Sequence, residues 1–349
     1  MTNEPHAKAF FKALPKVELH RHLEGSLRLS TMLELAHAWR LNLPIADPPR
    51  LRALVQVQSA DPQTAKNFLS KFETLRLFFR SQEVISRVTR EAVADAAADN
   101  VRYLELRFTP VALGNARKFP LGEVMDWVID SARQAEKDFG VTTRLIASVN
   151  RHESVSIAEK VAELSVERLN NGIVGLDLAG AEGSYPAKPF AGVFQAAHQA
   201  GMRITIHAGE WGGAENIIEA IEVLRAERIG HGVRIFENPY AVDLAREYKT
   251  AFEVCPTSNY QSGVIGTEAP HPLLHMIEAG LCVTLNTDDP SISNIVLSDE
   301  CFLAFHRLTL SLEQLKLTIS NGLDASFLTN GNREKLTEEL KQALSGVNP

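Results

Sequence analysis

MRITIHAGE at 202–210 decides how this chain folds: a short run with branched side chains stops abruptly at His207, Ala208, Gly209 and Glu210. Ile and Thr in that density favour a strand, and the polar residues fall at its C-terminal end. The same design recurs along the chain. VELH at 17–20, RYLELRFTP at 102–110, TRLIASVN at 143–150 and IVGLDLAG at 173–180 come before it. ERIGHG at 227–232, FEVCPTSN at 252–259 and CVTLNTDD at 282–289 follow. The intervening segments have helical spacing, as where Ile217, Ile218, Ile221 and Leu224 mark one face. Eight alternating units predict a single α/β domain, a (β/α)8 TIM-type barrel over 1–349. An open, doubly wound sheet is the competing arrangement, because periodicity does not say whether a sheet closes.

The interval between the first two strands is too long for one helix, so a helical insertion is expected over about 27–100. Within it TMLELAHAWRL at 31–41 and the stretch 67–100 read as helices, separated by LPIADPPRLRAL at 43–54. Their place suggests a cap beside the barrel mouth, and packing on the outer ring is the alternative. NREKLTEELKQALSGVNP at 332–349 reads as a polar helix and tail.

Composition narrows the partners. The 349 residues carry 36 Lys and Arg against 43 Asp and Glu, a net charge of −7, with no basic run suited to phosphate backbones or anionic lipid. Neither nucleic acid nor a membrane is expected as a partner. MTNEPHAKAFFKALPK at the start lacks a continuous apolar core, and no run of 18 apolar residues occurs, so the chain reads as cytoplasmic. Cys255, Cys282 and Cys301 are widely spaced and suit a reducing compartment. Cys255, at a strand end, reads as a small buried residue rather than a nucleophile.

In barrels of this kind the reacting groups stand at the C-terminal ends of the strands. The first strand ends in His20-Arg21-His22, where a two-residue offset puts both imidazoles on one face. The fifth brings His207 and Glu210, the sixth His231, and the eighth Asp288 and Asp289. Three imidazoles and one carboxylate make a nitrogen-rich site suited to Zn²⁺ rather than to Ca²⁺ or Mg²⁺. Zinc acidifies a bound water, so hydrolysis is the expected reaction. Glu210, His231 and Asp289 remain for proton transfer and orientation.

HRHLEGS at 20–26, DLAG at 177–180, HAGE at 207–210, GHG at 230–232, CPTSN at 255–259 and NTDDP at 286–290 together resemble the adenosine deaminase family of metal-dependent hydrolases. The likeness runs from about residue 14 to about 330. It implies one Zn²⁺ per chain, held by His20, His22, His207 and Asp288. It also implies that zinc hydroxide attacks C6 of a purine nucleoside while Glu210 protonates N1. His231 would orient the hydroxide and Asp289 would meet the nucleophile and N7. His22, Glu24, Gly180 and Asp289 are the implied substrate-binding positions, Gly180 offering its backbone N–H to N3.

Two departures bear on substrate. Glu24 stands where adenosine deaminases usually carry Asp, at the ribose 5′ end, and AEGSYP follows DLAG where an acidic G-D-E is commoner. The expected reaction is conversion of adenosine and 2′-deoxyadenosine to the inosine product and ammonia. Adenine, a 5′-modified adenosine or aminodeoxyfutalosine is the alternative substrate. An inactive binding protein on the same barrel is a more distant reading. A two-metal amidohydrolase is disfavoured because IVGLDLAG offers no Lys to bridge the ions. The unrelated H-x-E with P-C-x-x-C zinc signature of cytidine deaminases is absent. Oligomeric state is not legible.

Overall fold

The computed structural model describes residues 4–41, 43, 48–169 and 171–346. Eight strands follow one another in a single sheet with the spatial order of the sequence. They are β1 Lys16–His22, β2 Val101–Phe108, β3 Thr142–Asn150, β4 Ile173–Ala179, β5 Arg203–Ala208, β6 Arg228–His231, β7 Ala251–Val254 and β8 Cys282–Leu285. Each is parallel to the next. All eight are those expected from the apolar runs, and the sheet curls into a (β/α)8 barrel rather than lying open. The seam between β8 and β1 closes just beyond β8. The His22 amide donates to the Asp288 carbonyl at 2.8 Å, and the Asp288 amide to the His20 carbonyl at 3.0 Å. Asn286 Oδ1 accepts from the Leu19 and His20 amides, standing in for a strand carbonyl. The seam is therefore made by the same segments that carry the polar strand ends.

The barrel interior is not the usual stack of branched apolar side chains. Arg107 of β2 bonds Glu253 of β7 at 2.6 Å and lies 3.3 Å from Asp177 of β4. Arg228 of β6 bonds the same Glu253 at 2.6 Å and Glu105 of β2 at 2.5 Å. Three of these four contacts join strands that are not neighbours and so cross the lumen, and the charges fill it, paired and fully buried. The apolar faces of the strands point the other way, onto the surrounding helices, where most of the buried hydrophobic residues form one continuous cluster.

Between β1 and β2 lie helices Leu29–Ala38, Pro48–Val55, Ala65–Leu75 and Gln82–Ala98. The stretch 67–100, read as one helix, is two. The chain leaves helical geometry at Phe79 and Ser81, and the Ser81 hydroxyl accepts from the Val84 amide as an N-cap. Phe78 and Phe79 are fully buried at the break, so burial of two adjacent rings overrides helical periodicity. The segment read as a connector contains the short helix Pro48–Val55, which starts on two prolines, residues that suit a first helical turn. Helix Asn330–Ser345 closes the opposite end of the barrel, with Leu340 packed against Val17, Leu19 and Tyr103. Among the described residues, no helix is long and apolar enough to cross a membrane.

Candidate active site

The strand ends bring every expected polar residue to one place. His20 and His22 project from β1 with ring centroids 5.2 Å apart, and His207 of β5 lies 4.6 Å from the His20 ring and 5.3 Å from the His22 ring. Asp288 Oδ1 is 3.2 Å from His20 Nε2 and 3.3 Å from His22 Nε2. His231 of β6 stands beside them, its Nε2 4.0 Å from Asp288 Oδ2 and 3.7 Å from Glu210 Oε1. His231 and Asp288 both hold left-handed backbones, φ 63° and 64°, a conformation that side-chain-bearing residues rarely adopt outside functional turns.

Ligating atoms of His20, His207, His231 and Asp288 all lie within 4.8 Å of one another, the separation a shared metal ion requires. His22 adjoins the group through contacts of 3.3 Å to His207 Nε2 and to Asp288 Oδ1. Two further carboxylates orient the rings. His20 Nδ1 is 2.8 Å from Glu253 Oε2 and His207 Nδ1 is 3.0 Å from Asp177 Oδ1. A carboxylate there accepts Nδ1–H and leaves Nε2 with its lone pair aimed at the site. His20 Nε2 is buried without a hydrogen-bond partner. Bare ring nitrogens packed this closely around a carboxylate repel one another unless a cation lies between them, so the residues fit a metal ion.

Electrostatics separates the acids. Burial alone would raise Asp288, but the imidazoles around it, His20 nearest, hold it well below the usual carboxylate range. Burial pushes Glu210 and Asp289 well above that range, with the Asp288 charge adding to both. Glu24 is pushed to about 7, chiefly by burial. Burial likewise depresses His22, His207 and His231, leaving these rings neutral and fit to bind a metal or a proton donor.

The site opens into a cavity of about 240 Å³. Its outer wall includes Phe68, Phe72 and Arg76, contributed by helix Ala65–Leu75 and the turn after it. Glu24 lies in this wall, with Oε1 accepting from the Thr109 amide at 2.7 Å and Oε2 buried without a partner. Gly25 passes so close to Asp289 that a Cβ there would come within 1.8 Å of its carboxylate. Gly180, at φ 93°, turns the chain at the cavity edge after β4. Glu182 then accepts from the amides of Gly209, Glu210, Trp211 and Gly212 at 2.7 to 2.9 Å, and from Asn216. One buried carboxylate thus holds the loop that presents Glu210.

Sequence reading had no role for Asp177, Glu253, Glu182, Ser258 or Asn259. Asp177 and Glu253 did leave a signal: a lone acid inside a strand covered on both faces must point into the barrel and find a partner there. Ser258, which donates to Asp288 at 2.7 Å, left none beyond its position after a strand.

A buried nest of imidazoles and carboxylates at the mouth of such a barrel is the arrangement of a metal-dependent hydrolase. Residues 15–343 match the family model described as adenosine deaminase. The adenosine deaminase of Klebsiella pneumoniae (strain 342) is 37% identical over 94% of this chain and 98% of its own length. Among solved structures, the adenine deaminase of Arthrobacter aurescens has TM-score 0.87 and 30% identity, covering 95% of this chain and 100% of that one. A zinc-bound amidohydrolase from Burkholderia ambifaria has TM-score 0.85 and 27% identity, over 97% of this chain and 95% of its own. The N6-mAMP deaminase of Arabidopsis has TM-score 0.83 and 27% identity, over 97% and 100%. The chain belongs to the adenosine deaminase family and is a hydrolytic deaminase acting on C–N bonds.

Proposed function

We propose that the enzyme deaminates adenosine and 2′-deoxyadenosine at C6, using one zinc ion held by His20, His22, His207 and Asp288. The observation that carries this reading is the buried nest in which His20, His22, His207 and Asp288 converge, with Glu210 Oε1 3.7 Å from His231 Nε2 beside them. Burial pushes Glu210, three residues beyond His207, well above the usual carboxylate range, whereas the imidazoles hold Asp288 well below it. When bound, zinc supplies an acidified water as nucleophile. Glu210 donates its proton to ring N1, which makes C6 electrophilic as the nucleophile's oxygen bonds to it. His231 and Asp289 orient that oxygen, and Asp289 also meets N7. The Gly180 amide holds N3, and the helix Ala65–Leu75 covers the sugar. The proton released by the attacking oxygen passes to the amino nitrogen, the C6–N bond breaks, ammonia leaves, and the 6-oxopurine nucleoside remains with the Glu210 proton on N1. Ammonia release from adenosine, with metal counted on the same sample, tests the reading. An active protein without zinc, or a zinc protein inert on every 6-aminopurine, would overturn it.

A second reading has one observation in its favour. Arg76, in the cavity wall, has a buried Nε without a partner, a donor suited to a 5′-phosphate. Under that reading AMP or an N6-substituted AMP is the substrate, in keeping with the likeness to the Arabidopsis enzyme.

A further inference from the structure

Four imidazoles crowd one metal site, and what distinguishes them is the atom facing each Nδ1. Behind His20 and His207 stand carboxylates, which only accept. Behind His231 stands an amide: Asn259 Nδ2 is 3.1 Å from His231 Nδ1. Beyond it, Asn259 Oδ1 is 3.3 Å from His271 Nε2, and His271 Nδ1 accepts from the Leu273 backbone amide at 3.1 Å. Asn259, His271 and His231 are all buried.

We propose that Asn259 and His271 are positioning residues, forming with the Leu273 amide a directed relay that keeps the proton of neutral His231 on Nε2, facing the site. The direction follows from its outer end. A backbone N–H can only donate, so His271 Nδ1 is bare. His271 is held neutral by burial, which takes it down to about 3, so its single proton sits on Nε2. That N–H donates to Asn259 Oδ1, which sets the amide's orientation and turns its NH2 to His231 Nδ1. His231 Nδ1 is then an acceptor, and its proton lies on Nε2, 3.7 Å from Glu210 Oε1 and 4.0 Å from Asp288 Oδ2.

The consequence is a division of labour that position alone does not impose. His231 is as close to the group as the true ligands, within the same 4.8 Å, yet a protonated Nε2 has no lone pair to give a metal. It offers a hydrogen bond instead, to the oxygen that attacks C6. His22, with no such relay behind it among the described contacts, completes the ligand set. This inference rests on the proposed role of His231 in deamination, but the proton's position can be measured without any turnover.

Two-bond ¹H–¹⁵N correlation spectra of the histidine-labelled zinc enzyme, and of the same protein after chelation, read the tautomers directly. His231 and His271 are assigned from the peaks lost in His231→Asn and His271→Gln. The expected result is a bare Nδ1 and a protonated Nε2 on both rings, with and without zinc. Asn259→Asp replaces the donor by an acceptor and moves the His231 proton to Nδ1. Its kcat should fall roughly 100-fold with KM within about threefold and zinc retained, the scale on which such partners act. His271→Gln keeps an N–H for Asn259 and should retain the His231 tautomer and kcat within about threefold, whereas His271→Phe should lose both. A proton on His231 Nδ1 in the unaltered enzyme overturns the relay, even if Asn259→Asp does not fold. So does unchanged kcat in Asn259→Asp. The expected tautomers in a protein that deaminates no purine would uphold the relay and refute the proposed reaction instead.

Discussion

Asp177 Oδ1 lies 3.0 Å from His207 Nδ1, inside the barrel, while its other oxygen accepts from Ser148 at 3.0 Å and faces Arg107 at 3.3 Å. The acid is held below the ordinary range, against its burial, by His207 and Arg107. It therefore stays an acceptor and fixes His207 with Nε2 bare. Asp177→Asn keeps the shape but weakens that preference and should lower metal affinity about 10- to 100-fold. Competition with a chelator of known affinity checks this; unchanged affinity would remove Asp177 from the site.

Asp288 is the anionic ligand in the proposed metal site and, through its backbone, closes the seam between the first and last strands. Asp288→Ala should lose both metal and activity, and the intact enzyme should contain about one zinc per chain. Elemental analysis finding two ions per active chain contradicts the single-metal reading.

The barrel and the polar cluster at its mouth were legible because strand ends carry polar residues where an otherwise apolar run stops. HRH, HAGE, GHG and NTDDP could be placed before any contact was known. The supporting charges were less visible. Glu253 lies in an apolar strand between Phe252 and Val254; Arg228 reaches it from the adjoining β6, but Arg107 comes from β2, and only curling of the sheet brings that partner to it. The break at Ser81 was hidden because its cause, burial of Phe78 and Phe79, is tertiary. Glu182, in the AEGSYP stretch noted for its departure, acts through four backbone amides, groups that no side-chain pattern reveals.

Glu210→Gln leaves the loop anchored by Glu182 and removes only the transferable proton. Zinc content should be unchanged while kcat falls by roughly 10² to 10⁴, the range of general acid catalysis. In the unaltered enzyme the raised Glu210 pKa places its proton donor in play at neutral pH, and activity should fall as alkaline pH removes that proton. Loss of zinc in Glu210→Gln, with normal turnover after metal is restored, would make it a support for the ligands instead.

Glu300 gives a stability test away from the chemistry. Burial raises its carboxyl to about 8 from an ordinary 4.5; Oε1 accepts from the Thr257 amide and Oε2 has no partner. The folded-state pKa lies above the unfolded one. The protonated acid's contribution to stability is therefore complete below about 4.5 and lost as pH rises through about 8. Glu300→Gln should flatten the decline in unfolding free energy between about pH 4.5 and pH 8, by an amount on the order of a few kcal/mol. Parallel curves for the two proteins would show that Glu300 titrates normally.

Under the proposed function, Glu24 should decide what the cavity accepts beyond the purine. Its Oε1 is satisfied by Thr109, whereas Oε2 is buried in the cavity wall with nothing to bond. An unpaired polar atom in a closed pocket costs roughly 1–3 kcal/mol, so a substrate that supplies a 5′-hydroxyl gains one to two orders of magnitude in kcat/KM over one that does not. Adenosine and 2′-deoxyadenosine should then exceed adenine and 5′-deoxyadenosine. AMP should be poor above pH 7, where the carboxyl, pushed to about 7, is charged against the phosphate. Glu24→Asp should retain or improve adenosine turnover, and Glu24→Ala should narrow the gap between adenosine and 5′-deoxyadenosine. Preference for AMP, abolished by Arg76→Met, would instead assign the unpaired guanidinium nitrogen to a phosphate. Preference for free adenine or for a 5′-thioether would refute the nucleoside reading at the sugar end and leave the chemistry at C6 untouched, because Glu24 bonds the Thr109 amide rather than Glu210 or the imidazoles.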